Sequence, residues 1–229
     1  MKKTTLADAR ELNLLPSVTT ILKVLNKPAL NAWLVEQSVN AVLTTPRLPG
    51  EQLDAFVQRV LHSERVQDEE AQIARDKGTA IHDAIEACLN GRPFDAAWKP
   101  YVEAVLPVVA GLGSIVWTEK ILVGDGYAGR ADILLETERN ITLLDFKTSS
   151  KMPKESYPEH KCQSSAYAKT LGNVADKHII TGNLYISTVM PGATALSLQE
   201  DWPYNYEEGF VPAMRLWQYL NGYRPGGSL

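Results

Sequence analysis

Cysteine is scarce in the 229-residue chain: Cys88 and Cys162 are the only two. They lack CxxC spacing, so neither a zinc site nor a disulfide framework is expected, and a reduced, cytoplasmic setting is the default. No apolar run approaches the ~18 to 20 residues that a membrane span requires, so no membrane partner is expected. Lys2 and Lys3 are followed by acids instead of an apolar stretch, which argues against a signal peptide. Excess positive charge is missing too. With 23 Lys and Arg against 27 Asp and Glu, the net charge is −4. That excludes coating nucleic acid through bulk charge. It does not exclude an enzyme acting on nucleic acid, because a metal-binding carboxylate cluster itself makes the count more acidic. Repeats and low-complexity stretches are absent, apart from a short Gly-Gly-Ser end.

Hydrophobic periodicity organises what is present. "LLPSVTTILKVLN" reads as a helix capped by Ser17, and Pro28 opens another through about Val42. Helical patterns cover roughly 51–61, 64–89 and 95–113, the last interrupted by Pro100 and Pro107. The period then shortens. "SIVWTEKILV", "YAGRADILLE" and "NITLLDFKT" read as strands joined by the turn-rich "GDG" and "TERN". A helix over 159–171, strands over 178–189 and 195–200, and a helix over 204–221 follow. The order implies an α/β or α+β fold with a central mixed sheet flanked by helices. The expected organisation is a single domain, with a helical region of about 1–112 packed on a sheet core of about 113–229.

The chemistry begins in "LLDFKTSS", residues 143–150. Strand alternation puts Asp145 and Lys147 on one face and Phe146 on the other. This is either an ion pair on a surface hairpin or a charged pair at the end of a core strand. Asp132 lies in the preceding strand. If "TERN" closes a hairpin, Asp132 and Asp145 are neighbours across two antiparallel strands. Adjacent carboxylates repel unless a cation sits between them, and hard oxygen ligands suit Mg²⁺ or Mn²⁺. In "KGTAIHDAIEACL", Gly78, His82 and Glu86 recur every four residues on one helix face. They are a metal ligand with its neighbours, or a surface His–Glu pair. Glu119, in the strand before Asp132, is by itself an exposed strand acid. In "HKCQSSAYAKTLG", Gln163 and Tyr167 are four apart, fit to hold a phosphate oxygen and pack on a sugar or base, or to face a sheet edge. Lys147, Lys151, Lys154, Lys161 and Lys169 concentrate positive charge in one short window.

Taken in order over residues 78–167, "GTAIHDAIE", Glu119, "GRADIL", "DFKTS" and "QSSAYA" resemble the RecB-like branch of the PD-(D/E)XK nuclease superfamily. "LPSVTTIL" is similar to the opening of mitochondrial genome-maintenance exonucleases and related phage exonucleases. The resemblance implies a restriction-endonuclease-like core. It implies a metal-dependent DNA exonuclease hydrolysing phosphodiester bonds from DNA ends, in recombination, repair or phage replication, in the host cytoplasm if phage-encoded. His82, Asp132, Asp145 and the backbone carbonyl of Phe146 would bind Mg²⁺, with Mn²⁺ as a substitute. Lys147 would be catalytic and Glu119 would assist at the metal. Gln163 and Tyr167 would contact DNA, with Lys151 and Lys161 nearby. Glu86 matches its motif without an assigned role. The four-cysteine iron–sulfur cluster of several relatives cannot be built from two cysteines. Two alternatives stand beside this reading: a structure-specific endonuclease of the same fold, and a catalytically silent nucleic-acid-binding module.

Overall fold

The computed structural model describes residues 5–26, 28–62, 65–172, 174 and 176–225. The first helix, α1 (Leu6–Glu11), falls outside the expected pattern. It is held by a capping box in which Thr5 Oγ1 accepts from the Asp8 amide and the Asp8 carboxylate accepts from the Thr5 amide. Next, α2 (Val18–Ile21) starts at Ser17, whose hydroxyl accepts from the Thr20 amide at 3.1 Å, and continues as a 3-10 turn over Leu22–Val24. Three further helices follow: α3 (Pro28–Thr44), α4 (Leu53–His62) and α5 (Arg65–Leu89). The helix α6 (Lys99–Leu112) tolerates Pro107 in its interior.

Five strands form one mixed sheet in chain order: β1 (Ser114–Gly124), β2 (Tyr127–Glu136), β3 (Asn140–Ser149), β4 (His178–Ser187) and β5 (Thr194–Gln199). Pairing is antiparallel except between β3 and β4, which run parallel in register from Asn140↔His178 to Ser149↔Ser187. A parallel pair needs a crossover. Here it is α7 (Pro158–Lys169). The chain closes with α8 (Trp202–Tyr204), a π-type turn over Asn205–Phe210, and α9 (Val211–Asn221). The α+β expectation with a central mixed sheet is met.

The sheet separates two apolar cores. One gathers Val18 and Ile21 of α2, Ala166 and Tyr167 of α7, and Phe210 and Trp217 with Leu134 and Leu143 of the sheet. The other gathers Ile81 and Ile85 of α5 and Val102 and Val105 of α6 with Ile133, Leu135, Leu144 and Phe146. Two compact units can be distinguished within the chain. Residues up to 25 and from 80 onward make one compact unit, and residues 26–79 make another. The division falls within α5.

A polar row crosses the first unit. Asp145 pairs in register with Asn183, and Asn183 with Ser197. Ser156 Oγ donates to Asn183 Oδ1 at 2.7 Å and accepts from Gln199 Nε2 at 2.9 Å. Asn183 Nδ2 is buried without a hydrogen-bond partner.

Candidate active site

The β2–β3 ladder holds only from Glu136↔Ile141 to Ile133↔Leu144. The next rung would set Asp132 against Asp145. Instead, the Asp132 side chain takes the place of the backbone acceptor, its Oδ2 receiving the Phe146 N–H at 2.6 Å. The irregularity extends into β1. Glu119 lies between the pairs Thr118↔Ile133 and Lys120↔Ala131, with φ +49°. A left-handed conformation at a non-glycine residue costs about 1–3 kcal/mol and persists only where surrounding structure enforces it. Strand alternation breaks at the same row, since Ala131 and Ile133, two residues apart, belong to opposite cores.

The splayed rung brings together groups from several elements. The His82 ring, on α5, lies edge-on to Phe146 with centroids 6.2 Å apart, and its Nδ1 is 4.0 Å from Asp132 Oδ2. Burial pushes the His82 pKa below its ordinary value, against the pull of the Asp145 charge. The imidazole is therefore neutral at pH 7 and keeps a nitrogen lone pair. Burial, then the charge of Asp145, hold the Asp132 carboxyl well above the usual carboxylate range, and the Phe146 amide opposes them. Lys147 Nζ lies 2.6 Å from Asp145 Oδ2 and donates to Gln163 Oε1 at 2.8 Å. Gln163 Nε2 in turn donates to Asp145 Oδ1 at 3.3 Å and to Tyr167 Oη at 3.1 Å. Burial raises the Tyr167 phenol, so it stays protonated. Gly129 makes room for that ring, because a Cβ there would stand 2.5 Å from Tyr167 Cε1.

These groups line a cleft of about 330 Å³ that also takes in Ser17, Thr19 and Arg130. The last three were not among the expected site residues. Ser17 arrives through an isolated bridge to Ala128, reinforced by the Ala128 amide donating to the Pro16 carbonyl at 3.0 Å. A larger cavity of about 680 Å³, lined in part by Asp125, Lys169, Glu207, Arg215 and Arg224, carries charges of both signs and none of the acids the sheet gathers. Four expected residues do not line the cleft. Glu119 pairs with Arg130 at 2.7 Å and Glu86 with Arg92 at 2.5 Å. Lys161 turns toward Glu155 at 4.0 Å, and Lys151 sits in an exposed turn where its amide donates to Ser149 Oγ.

The donor set suits a hard divalent cation. Asp145 Oδ2 is buried and receives no aligned hydrogen bond, although the Lys147 ammonium is close. Two carboxylates are the oxygen donors such an ion selects, and the neutral imidazole adds a borderline nitrogen donor beside them. Among the described residues no group of three His, Cys, Asp or Glu side chains is placed to hold a metal ion by itself. Among the described residues no helix is long and apolar enough to cross a membrane.

No protein-family profile matches the chain, and no curated protein matches it. Among solved structures, the crystal structure of SSO0001 is similar at 15% identity, covering 82% of this chain and 87% of that one, with a TM-score of 0.35. That similarity is too low to say anything of fold or function.

Proposed function

We propose that the chain is a Mg²⁺-dependent nuclease of the RecB-like PD-(D/E)XK kind that hydrolyses phosphodiester bonds from DNA ends, in recombination, repair or phage replication. The observation that supports this reading most is the Lys147 ammonium, 2.6 Å from Asp145 and 2.8 Å from Gln163, in the cleft that Asp132 and His82 also line. His82, Asp132, Asp145 and the Phe146 carbonyl would hold the cation. When bound, Mg²⁺ would supply Lewis-acid polarisation of the scissile phosphate and a lowered pKa for an attacking water.

The chain's own residues orient and stabilise. The Gln163 amide bridges Lys147 and Asp145 and is itself anchored by Tyr167, so the ammonium has a fixed address. From there it stabilises negative charge developing on the phosphoryl oxygens. Neutral His82 offers a lone pair without competing for a proton. The amide of Phe146 fixes the Asp132 carboxylate at the splayed rung.

Lys147→Ala should lower cleavage of end-labelled linear DNA by about 100- to 1,000-fold while keeping the native fold, with a lowered Tm because the buried Asp145 loses its counter-charge. Full activity in that variant overturns the assignment. Covalently closed circular DNA in the same Mg²⁺ time course separates the two nuclease readings. An end-dependent enzyme leaves the circle intact, and an endonuclease nicks it.

A further inference from the structure

We infer that Arg130 is a phosphate-contacting residue of the cleft and that Glu119 is its anchor, not an acid at the chemistry. The inference rests on the nuclease reading above and assigns a substrate contact which that reading does not contain.

Arg130 lines the cleft and Glu119 does not. The Arg130 side chain is 66% exposed, whereas that of Glu119 is 16% exposed, and Arg130 Nε meets Glu119 Oε2 at 2.7 Å. A guanidinium has several N–H donors in a rigid plane and no acceptor. The contact is an ion pair without an aligned hydrogen bond, since Glu119 Oε2 receives none, and it holds the guanidinium beside a buried carboxylate while leaving its outer edge free. An exposed arginine would otherwise lose rotamer entropy when it grips an anion, and the tether removes much of that loss beforehand.

The backbone is arranged for this tether. Arg130 is the Cα partner of Ile121, so Glu119 is its diagonal neighbour on β1, within reach of a long side chain. Glu119 keeps a left-handed φ of +49° inside a strand to sit there. That conformation falls at the row where the β2–β3 ladder ends beside Asp132. Arg130 is two residues from Asp132, roughly 7 Å along the strand. The phosphate it meets is therefore about one or two nucleotides from the scissile one. Phosphate is the fitting ligand because its oxygens match the planar donor edge and recur along any strand, independent of base sequence.

The test compares wild type, Arg130→Ala, Glu119→Gln, Glu119→Gly and the Arg130→Ala/Glu119→Gln double variant. The readouts are binding of a fluorescein-labelled single-stranded oligonucleotide in EDTA, and kcat and KM on linear DNA with Mg²⁺. Arg130→Ala should weaken binding and raise KM about tenfold, with kcat affected less, and should flatten the log Kd against log salt slope by about 0.7. Glu119→Gln should give the same kind of loss, and the double variant should be no worse than Arg130→Ala. Glu119→Gly suits the positive φ and keeps the fold, so it should show the binding loss without a lowered Tm. The inference is overturned if the Glu119 and Arg130 losses add, or if Glu119→Gln lowers kcat with Kd and KM unchanged. Normal binding by Arg130→Ala, beside a wild type that binds and cleaves, overturns the inference alone. A wild type that neither binds nor cleaves nucleic acid overturns it together with the nuclease reading.

Discussion

Asp132→Asn should stabilise the metal-free protein at neutral and alkaline pH. Asp132 is mostly buried, and burial and the Asp145 charge raise its pKa. The native carboxyl therefore holds a proton at pH values where the unfolded chain has released it. More protons bound in the native state means that stability falls as pH rises, from the unfolded value near 3.8 up through the raised native value. Asparagine removes this penalty and keeps an oxygen to accept the Phe146 N–H. Two like charges roughly 5–8 Å apart repel by about 2–3 kcal/mol at an effective dielectric constant near 20. Partial protonation and the nearby Lys147 reduce that figure, leaving a gain of about 1–3 kcal/mol at pH 8. For a chain of this size, 2 kcal/mol corresponds to about 4–8 °C in Tm. The assay is thermal unfolding of both proteins in EDTA from pH 4 to pH 8. The Tm difference should be small at pH 4 and widen with pH. A variant melting at or below the wild type across the whole range would refute the placement of Asp132 as a strained, repelled carboxyl.

The remaining predictions concern the same cleft. Gly129→Ala should cost about 1–3 kcal/mol, measured by urea unfolding, because its methyl group displaces Tyr167. It should also lower cleavage, since Tyr167 steadies the glutamine that holds Lys147. Mn²⁺ should raise the Tm of the wild type less at pH 6.5 than at pH 7.5, because the ion must expel the proton that burial and the Asp145 charge keep on Asp132, while burial already holds the His82 imidazole neutral. Equal stabilisation at the two pH values contradicts the raised Asp132. Cation binding should also expel a proton from the raised Asp132, seen as a buffer-dependent heat in titration calorimetry and absent in Asp132→Asn.

The sheet core was readable from the sequence because its strands alternate or run apolar between strong turn signals, as at Asp125-Gly126, where Gly126 takes φ +78°. The spacing of Gln163 and Tyr167 likewise foretold one helix face, and in the fold both point at the same cleft. Periodicity failed where the backbone leaves its regular conformation. A positive φ at Glu119 has no signal in residue type, so neither the break in alternation beside Asp132 nor the turn of Glu119 toward Arg130 was legible. Glu86 shares the helix face of His82, yet Arg92, just past the helix end, draws it away. Ser17 and Thr19 reach the cleft through a bridge to Ala128, a long-range pairing that local pattern cannot reveal. The helix α1 was missed because one capping box and six residues leave no apolar period to detect.

The polar row through Asp145, Asn183 and Ser197 has a consequence for how the sheet assembles. Were β4 to slip by one residue against β3, Asp145 would meet Gly182 or Leu184 in place of Asn183. The slip would also pull Asn183 from Ser156, stranding buried donors and acceptors at about 1–3 kcal/mol each. Apolar contacts alone would forgive such a slip, since leucine and isoleucine abound on both strands. The row therefore acts as an alignment key: it rejects near-miss pairings during folding and delivers Lys147 opposite Tyr185 every time the chain closes.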